Sequence, residues 1–309
     1  MPLKGSFKID RALSTLSQRY ANAEYIAGQI MKDVLVQRES DKYYIYNNDR
    51  RLEETVRANG TLSKQVGFDM STSSYVLQEH ALKGIVTDRD RQNVDEPINL
   101  DADLVEYLTD KIMLRMEDDV AKFMFTTTTW GNNATLVSET SWKYHTTTSA
   151  PIQNVLSATS YILSQGGGKA NKAIMSIAVR DALKENINVH ERIKYTQKSI
   201  VTEELLASLF DLDQVLVGSA VYNSADEGIA DSFSGLWGNH CLVGWFDPSP
   251  RLKTKTAAAM MRQSGRGLPM TVKRWREEGV EGDVIEVQTF YKPVAISTVS
   301  AYFLHSVAL

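Results

Sequence analysis

The sequence predicts an α+β fold, and three stretches carry that prediction. In residues 171–223 a short apolar run, Ala173 to Ser176, leads through helical patterning and a second helix to the run Val215-Leu216-Val217-Gly218, which has the length and composition of a buried strand. From Asn99 to Phe125, Leu104, Leu108, Ile112, Met116, Val120, Phe123 and Met124 recur at spacings of four and then three, the stripe of a long helix. Near the end, Asp283 to Lys292 alternates, with Ile285, Val287 and Tyr291 on one face and Glu286, Gln288 and Lys292 on the other. Ala301 to Leu309 is largely apolar and reads as a final buried strand.

A chain of 309 residues exceeds one typical domain and suggests two lobes or one large one. Its 43% hydrophobic and 23% charged content is that of a globular protein. A net charge of −4 gives no general reason to expect tight nucleic-acid binding. The single cysteine, Cys241, excludes an intrachain disulfide and a cysteine metal cluster, and the five histidines lack metal-ligand spacing. The opening MPLKGSFKIDRALS has no apolar core of a signal peptide, and no run reaches the roughly 18 apolar residues of a membrane helix. The expectation is a soluble protein made in a cytoplasm.

Taken in order, Ile9, Leu13, Leu16, Tyr20, Ile26 and Ile30 give residues 1–40 an amphipathic pattern, read either as a surface helix on its own domain or as an arm packed on a neighbour. Lys42 to Tyr46 is rich in strand formers. Asn47 to Ser63 is polar and charged, with Arg50, Arg51, Glu53, Glu54 and Arg57 before the hairpin signal Asn59-Gly60. Gln65 to Met70 and Ser73 to Glu79 read as further strands. Such a hairpin has little core of its own. Asp88 to Pro97 reads as a charged linker.

Asn99 or Asp101 can cap the long helix, which at 1.5 Å per residue would run roughly 40 Å. Asp110, Lys111, Arg115, Glu117, Asp118 and Lys122 cover much of its other surface. Four consecutive threonines, Thr126 to Thr129, end it. A second helix is expected from about Pro151 to Ser164, with proline in the first turn. Gly166-Gly167-Gly168 reads as a hinge between lobes; no GK[ST] closes it and no apolar strand precedes it, so it is not a phosphate loop.

In residues 171–223, Ile177, Val179, Ala182, Leu183 and Ile187 share roughly one helical face. A polar bridge, Asn188 to Ser199, leads to Thr202, a good N-cap, with Glu203 and Glu204 in the first turn and Leu205, Leu206, Leu209 and Phe210 as the buried stripe. Ala225 to Gly235 reads as a polar loop, and Cys241 to Phe246 as a strand. His240 and Cys241 are adjacent, so a strand points them to opposite faces and they cannot pair as base and nucleophile. From Pro248 to Arg276 there are eight cations (Arg251, Lys253, Lys255, Arg262, Arg266, Lys273, Arg274 and Arg276) and no acid, which marks a subunit contact or a surface facing polyanion.

The phrases RYANAEYIAGQIMKDVLVQRESDKYYIYNNDR, KAIMS…VRDALKEN…VTEELLASLFDLDQVLVGSAVYN, LWGNHCLVGWFDPSP and MTVKRWREEGVEGDVIEVQTFYKPVAIS…AYFLHSVAL resemble tailed-phage major capsid proteins of the Hong Kong 97 fold. The Trp142…Ser149-Ala150-Pro151-Ile152 passage agrees in order, and the resemblance runs from Arg19 to Leu309. It implies an N-terminal arm (1–40), an extended β-hairpin loop with flanking strands (41–85), a peripheral domain with a long spine helix (86–165 and 268–295) and an axial domain (166–267 and 296–309). Some relatives crosslink through a lysine of the extended loop. Lys64 is the only lysine near this tip, but no partner is identifiable and no crosslink is expected.

The resemblance implies a shell subunit that self-assembles as pentamers and hexamers into an icosahedral virion capsid around double-stranded phage DNA, bound without sequence specificity. Assembly would occur in the host bacterial cytoplasm, without a membrane, with a portal protein and a separate scaffolding protein. An encapsulin-type compartment is the alternative, and an α/β enzyme a remote one, because no paired base and nucleophile, metal cluster or phosphate loop appears. No catalytic, metal-binding or cofactor residue is expected. The expected subunit-interface residues are Arg50, Arg51, Glu53, Glu54, Arg57 and Lys64 in the loop, and Arg251, Lys253, Lys255, Arg262 and Arg266 in the basic run.

Overall fold

The computed structural model describes residues 8–9, 13, 25–46, 51–67, 69–93, 99–136, 138–144, 148–194, 201–226, 228–250, 255–263 and 270–308. Its strands are β1 (Lys8–Ile9), β2 (Asp33–Val36), β3 (Ser40–Tyr46), β4 (Met70–Val76), β5 (Gln78–Thr87), β6 (Asn133–Thr135), β7 (Lys172–Ser176), β8 (Gln214–Gly218), β9 (Val221–Asn223), β10 (Phe233–Gly235), β11 (Cys241–Gly244), β12 (Ala258–Gln263), β13 (Met270–Glu277), β14 (Gly282–Ala295) and β15 (Ala301–His305). Its helices are α1 (Ala27–Ile30), α2 (Asp88–Asn93), α3 (Leu100–Met124), α4 (Pro151–Ser164), α5 (Ile177–Glu185), α6 (Ile187–Ile193) and α7 (Glu203–Leu209).

The long strand β14 organises a six-stranded sheet. On one side its first half pairs with β13 and its second half with β12, while β5 runs along its other side from Gln78 to Thr87. β1 extends the sheet beyond β13, and β2 lies parallel to β12 at the far edge. A five-stranded sheet, β6-β15-β11-β7-β8, forms the second layer. Four of its strands, β7, β8, β11 and β15, obey the two-residue period on both faces. Ala173, Met175, Val215, Cys241, Val243 and Leu304 face one core with α4 to α7, whereas Ile174, Leu216, Leu242 and Phe303 face the other. Burial on both faces explains why these strands read as continuous apolar runs.

The helix α3 joins the two layers. Asn99 caps it by accepting from the Ala102 amide at 3.3 Å. Its first half lays Val105, Leu108 and Ile112 on Val272, Ile285 and Val287 of the six-stranded sheet. Its second half puts Met116, Val120 and Met124 between that sheet and Ile174, Leu216 and Leu242 of the other. Leu108→Asp would place a charge among these aliphatics with no partner and should cost about 4 kcal/mol or more. The check is soluble yield and thermal melting; a soluble subunit with an unchanged melting temperature would contradict this packing.

Several local expectations change. Of the described residues from Gln65 to Met70 only Met70 is in a strand, where pairing begins, and Ser73 to Glu79 divides at Leu77, which turns into a small core with Tyr75 and Met261. Asp88 to Asn93 is the helix α2 rather than linker, capped at its start by Thr87 Oγ1, which accepts from the Asp90 amide at 3.2 Å. The polar bridge after Asn188 begins as α6, because Val189 and Ile193 bury and Asn186 caps. The Asn186 Oδ1 accepts from the Asn188 amide at 3.0 Å, and its Nδ2 donates to the Trp142 carbonyl at 3.1 Å. Ile177 and Ile187 are exposed, so only Val179, Ala182 and Leu183 form the buried face of α5. Phe233 to Gly235 is a strand paired with β9, so the loop before it is a hairpin tip. β11 stops at Gly244, and β15 at His305, where Ser306 turns left-handed (φ 58°).

The helix α4 has the expected bounds but packs in the core of the five-stranded sheet, through Ile152, Val155, Ala158 and Ile162. The residues after it form a packed turn rather than an open hinge: a Cβ on Gly167 would lie 2.6 Å from the Val299 carbonyl oxygen. In the N-terminal segment, Ile26 and Ile30 bury against the chain's own α3, and Leu13 packs beside Val272. The side chains of Ile9, Leu16 and Tyr20 lie outside the described residues.

Candidate assembly surfaces

The extended loop grows out of the β3–β4 ladder, which runs in register from Ser40↔Val76 to Tyr46↔Met70. Beyond the ladder, residues 51–67 carry no strand. Their turn is made at Ala58, whose carbonyl accepts from the Thr61 amide at 3.2 Å and the Thr61 hydroxyl at 2.9 Å. Gly60 supplies the left-handed residue this needs (φ 83°). The expected charged residues serve the tip itself. Lys64 pairs with Glu53, Arg57 donates to Ser63 Oγ at 3.5 Å, and Glu54 accepts from the Val56 amide at 3.1 Å. Arg51 is exposed, and Arg50 lies outside the described residues.

The same tip also exposes apolar side chains. Leu52 is 102% exposed and Leu62 97%, with Val56 and Val66 also exposed. Covering a leucine fully is worth about 1.5–3 kcal/mol, whereas an exposed ion pair is worth about 0–1 kcal/mol. Covered by another surface, the leucines and valines of this tip would contribute more than its ion pairs.

A second protrusion is the β9–β10 hairpin. Asn223 braces it, accepting at Oδ1 from the Ala225 and Ser232 amides, both at 3.0 Å, and donating to Asp231 at 2.7 Å. Val221, Tyr222, Ile229 and Phe233 are exposed on it. Trp237, just beyond, is buried and anchors the hairpin to α3.

That anchor is Glu117, which the helical pattern assigned to the solvent side. It is fully buried. Its Oε1 accepts from the Ile26 amide and from Trp237 Nε1, each at 2.9 Å, and its Oε2 accepts from the Ala27 amide at 2.9 Å. One carboxylate thus ties the start of α1, the middle of α3 and the root of the β9–β10 hairpin. Burial pushes its carboxyl pKa up, and the three donors oppose that only in part. Gly218 at the end of β8 leaves room for the same indole: a Cβ there would lie 2.2 Å from Trp237 Cδ1. Gly218→Ala should therefore displace Trp237 and cost about 1–3 kcal/mol, read as a fall in melting temperature with a changed tryptophan emission. An unchanged emission would contradict this anchor.

The basic run is only partly one-sided in space. Lys273 pairs with Glu286 at 3.1 Å. Arg274 reaches Asp283 at 2.6 Å and Asp101 at 3.1 Å, and Arg276 reaches Asp88 at 2.5 Å. The acids come from β14, α3 and α2, which the linear run could not reveal. Arg262 is buried beside Asp33 at 3.4 Å. Lys255 adjoins β12, and Arg251, Lys253 and Arg266 lie outside the described residues.

His240 and Cys241 point to opposite faces, as the strand period requires. His240 stacks on His305, with ring centroids 4.6 Å apart, and burial pushes its pKa down to about 4. Cys241 is buried in the other core, and burial pushes its thiol well up. Among the described residues no group of three or more His, Cys, Asp or Glu side chains is placed to hold a metal ion. No described helix is long and apolar enough to cross a membrane.

No family model matches the chain. It is 29% identical over 240 residues to the major capsid protein of Burkholderia phage BcepMu, covering 77% of this chain and 76% of that one. Its fold is similar to that of the capsid of a native GTA particle, with a TM-score of 0.60, 11% identity and coverage of 92% and 91%. The chain is similar to phage major capsid proteins, and its fold is the Hong Kong 97 fold. The chain also resembles a phage-related protein from Bordetella bronchiseptica RB50, with a TM-score of 0.79, 21% identity and 99% of each chain covered. The loop tip and the β9–β10 hairpin both present exposed apolar side chains in the single chain.

Proposed function

We propose that this chain is the shell subunit of a tailed-phage head, assembling as pentamers and hexamers into an icosahedral capsid around double-stranded DNA. The observation that carries the reading is the extended loop. Its leucines are as exposed as in an unfolded chain, although a ladder of seven residue pairs holds the loop out. A subunit that keeps such a loop ordered gains from it only when a neighbour covers it. In this reading the six-stranded sheet with the first half of α3 is the peripheral part, and the five-stranded sheet with the β9–β10 hairpin is the axial part at the capsomer centre. α4, with its packing on the five-stranded sheet, joins the axial part. The head is assembled in the host cytoplasm with a separate scaffolding protein and a portal protein, and the role is structural rather than enzymatic.

The test is expression of the chain, alone and with a scaffolding protein from the same phage, followed by size exclusion and negative-stain electron microscopy. Closed shells, tubes or rings of five or six subunits are expected. Nucleic acid inside shells recovered from infected cells distinguishes a phage head from an enzyme-packing compartment. A strict monomer under both conditions would overturn the reading.

A further inference from the structure

Glu117 and Arg262 are the buried charged side chains among the described residues, and they differ in one respect. Glu117 has three donors at 2.9 Å. Arg262 has five N–H donors to satisfy, and its described partners are the Met116 thioether at 3.2 Å and the Asp33 carboxylate at 3.4 Å. Its Nε is buried with no hydrogen-bond partner among the described residues. A buried guanidinium held by a weak acceptor and one distant carboxylate is a costly arrangement, and such a group in a folded protein calls for a reason.

The side chain lines an open cleft of about 660 Å³, walled by Gly28, Met31, Lys32 and Asp33 on one side and Pro248 to Pro250 on the other. Lys32 is exposed on this wall. Lys172 lies nearby, donating to the Gln29 carbonyl, and its ammonium pKa is lowered by burial and by Lys32. Of the residues that line the cleft, Lys32 and Arg262 are cations and Asp33 is the acid. The cleft is net positive, and its guanidinium is planar, preorganised and short of acceptors, which suits a tetrahedral oxyanion.

We propose that this cleft binds a phosphate group through Arg262 and Lys32, with Asp33 acting as the competing internal anion. The inference does not depend on the capsid reading. Calorimetric titration of the full chain with inorganic phosphate at constant ionic strength should show saturable binding. Arg262→Lys should weaken it about tenfold or more, because the two-pronged contact is lost. Lys32→Ala should weaken it at least threefold, by roughly the loss of one exposed charge. Asp33→Asn should tighten it several-fold, which a merely structural Arg262 would not do. If Arg262→Lys does not fold, the Lys32 and Asp33 variants decide. A short DNA duplex, followed by fluorescence anisotropy, identifies the source. Duplex binding that falls in the Lys32 and Arg262 variants assigns the phosphate to nucleic acid, and phosphate binding without it assigns a free ion. No phosphate binding, or binding that none of the three substitutions changes, overturns the proposal. Electron microscopy of the same variants scores assembly separately.

Discussion

Replacing Glu117 by alanine should cost the subunit about 3–5 kcal/mol, a large share of the roughly 5–15 kcal/mol that holds a domain folded. Three donors, the Ile26 and Ala27 amides and Trp237 Nε1, lose their acceptor inside a closed core. Each unsatisfied donor costs about 1–3 kcal/mol, and release of a desolvated carboxylate offsets part of the sum. Glu117→Gln should cost less, about 1–3 kcal/mol. An amide oxygen at the Oε1 position keeps Ile26 and Trp237, but the amide nitrogen then faces the Ala27 N–H. The order Ala worse than Gln worse than Glu, measured by denaturant unfolding with tryptophan emission as probe, is the signature. Equal stability for all three would mean that the carboxylate is not the anchor. The pH dependence has a definite sign. Burial raises the folded pKa above the ordinary value of 4.5, so the folded state holds the proton more tightly than the unfolded chain. This group's contribution is fully present below that ordinary value and declines as pH rises through the raised one. Glu117→Gln should remove that slope.

The second large effect concerns the loop. Leu52→Asp with Leu62→Asp should leave the melting temperature of the isolated subunit unchanged within error and abolish shells. Both side chains are fully exposed in the subunit, where surface substitutions usually change stability by about 0.5 kcal/mol or less. In the assembly, each leucine covered by a neighbour is worth about 1.5–3 kcal/mol. Losing both raises the concentration needed for each contact by about 100-fold or more, and a closed shell repeats that contact around every capsomer. Deleting Asn47 to Ser63 behind a short turn should act the same way. Charge reversal at Glu53 and Lys64 together should do much less, because these two already pair within the loop. Light scattering during assembly measures all three. Normal shells from the double leucine variant would remove the loop from the account.

Elements whose side chains obey one period on a fixed face were legible in the sequence. The α3 stripe, the bounds of α4, the Thr202 cap and the strands around Ile174, Leu216 and Leu242 follow from local pattern and are found in place. Short polar helices were not legible. α2 and α6 are stabilised by Thr87 and Asn186 caps and by two or fewer buried side chains each, too little for a periodic signal. The residues that matter most were hidden by distance along the chain. Glu117 reads as solvent-facing until residues 26, 27 and 237 are brought to it, 91, 90 and 120 positions away. Lys273, Arg274 and Arg276 read as an unpaired basic run until Glu286, Asp283, Asp101 and Asp88 arrive from other elements. Leu52 and Leu62 were visible as letters in a charged loop, but only their full exposure, with no core beneath them among the described residues, gives them meaning.

The most direct measurement is a cryo-electron microscopy map of assembled particles, read at Leu52 and Leu62. Both side chains should lie buried against an adjacent copy of the chain, with the β3–β4 ladder still projecting from its own subunit. Particles in which the tip folds back onto its own subunit, or in which both leucines face solvent, would contradict it.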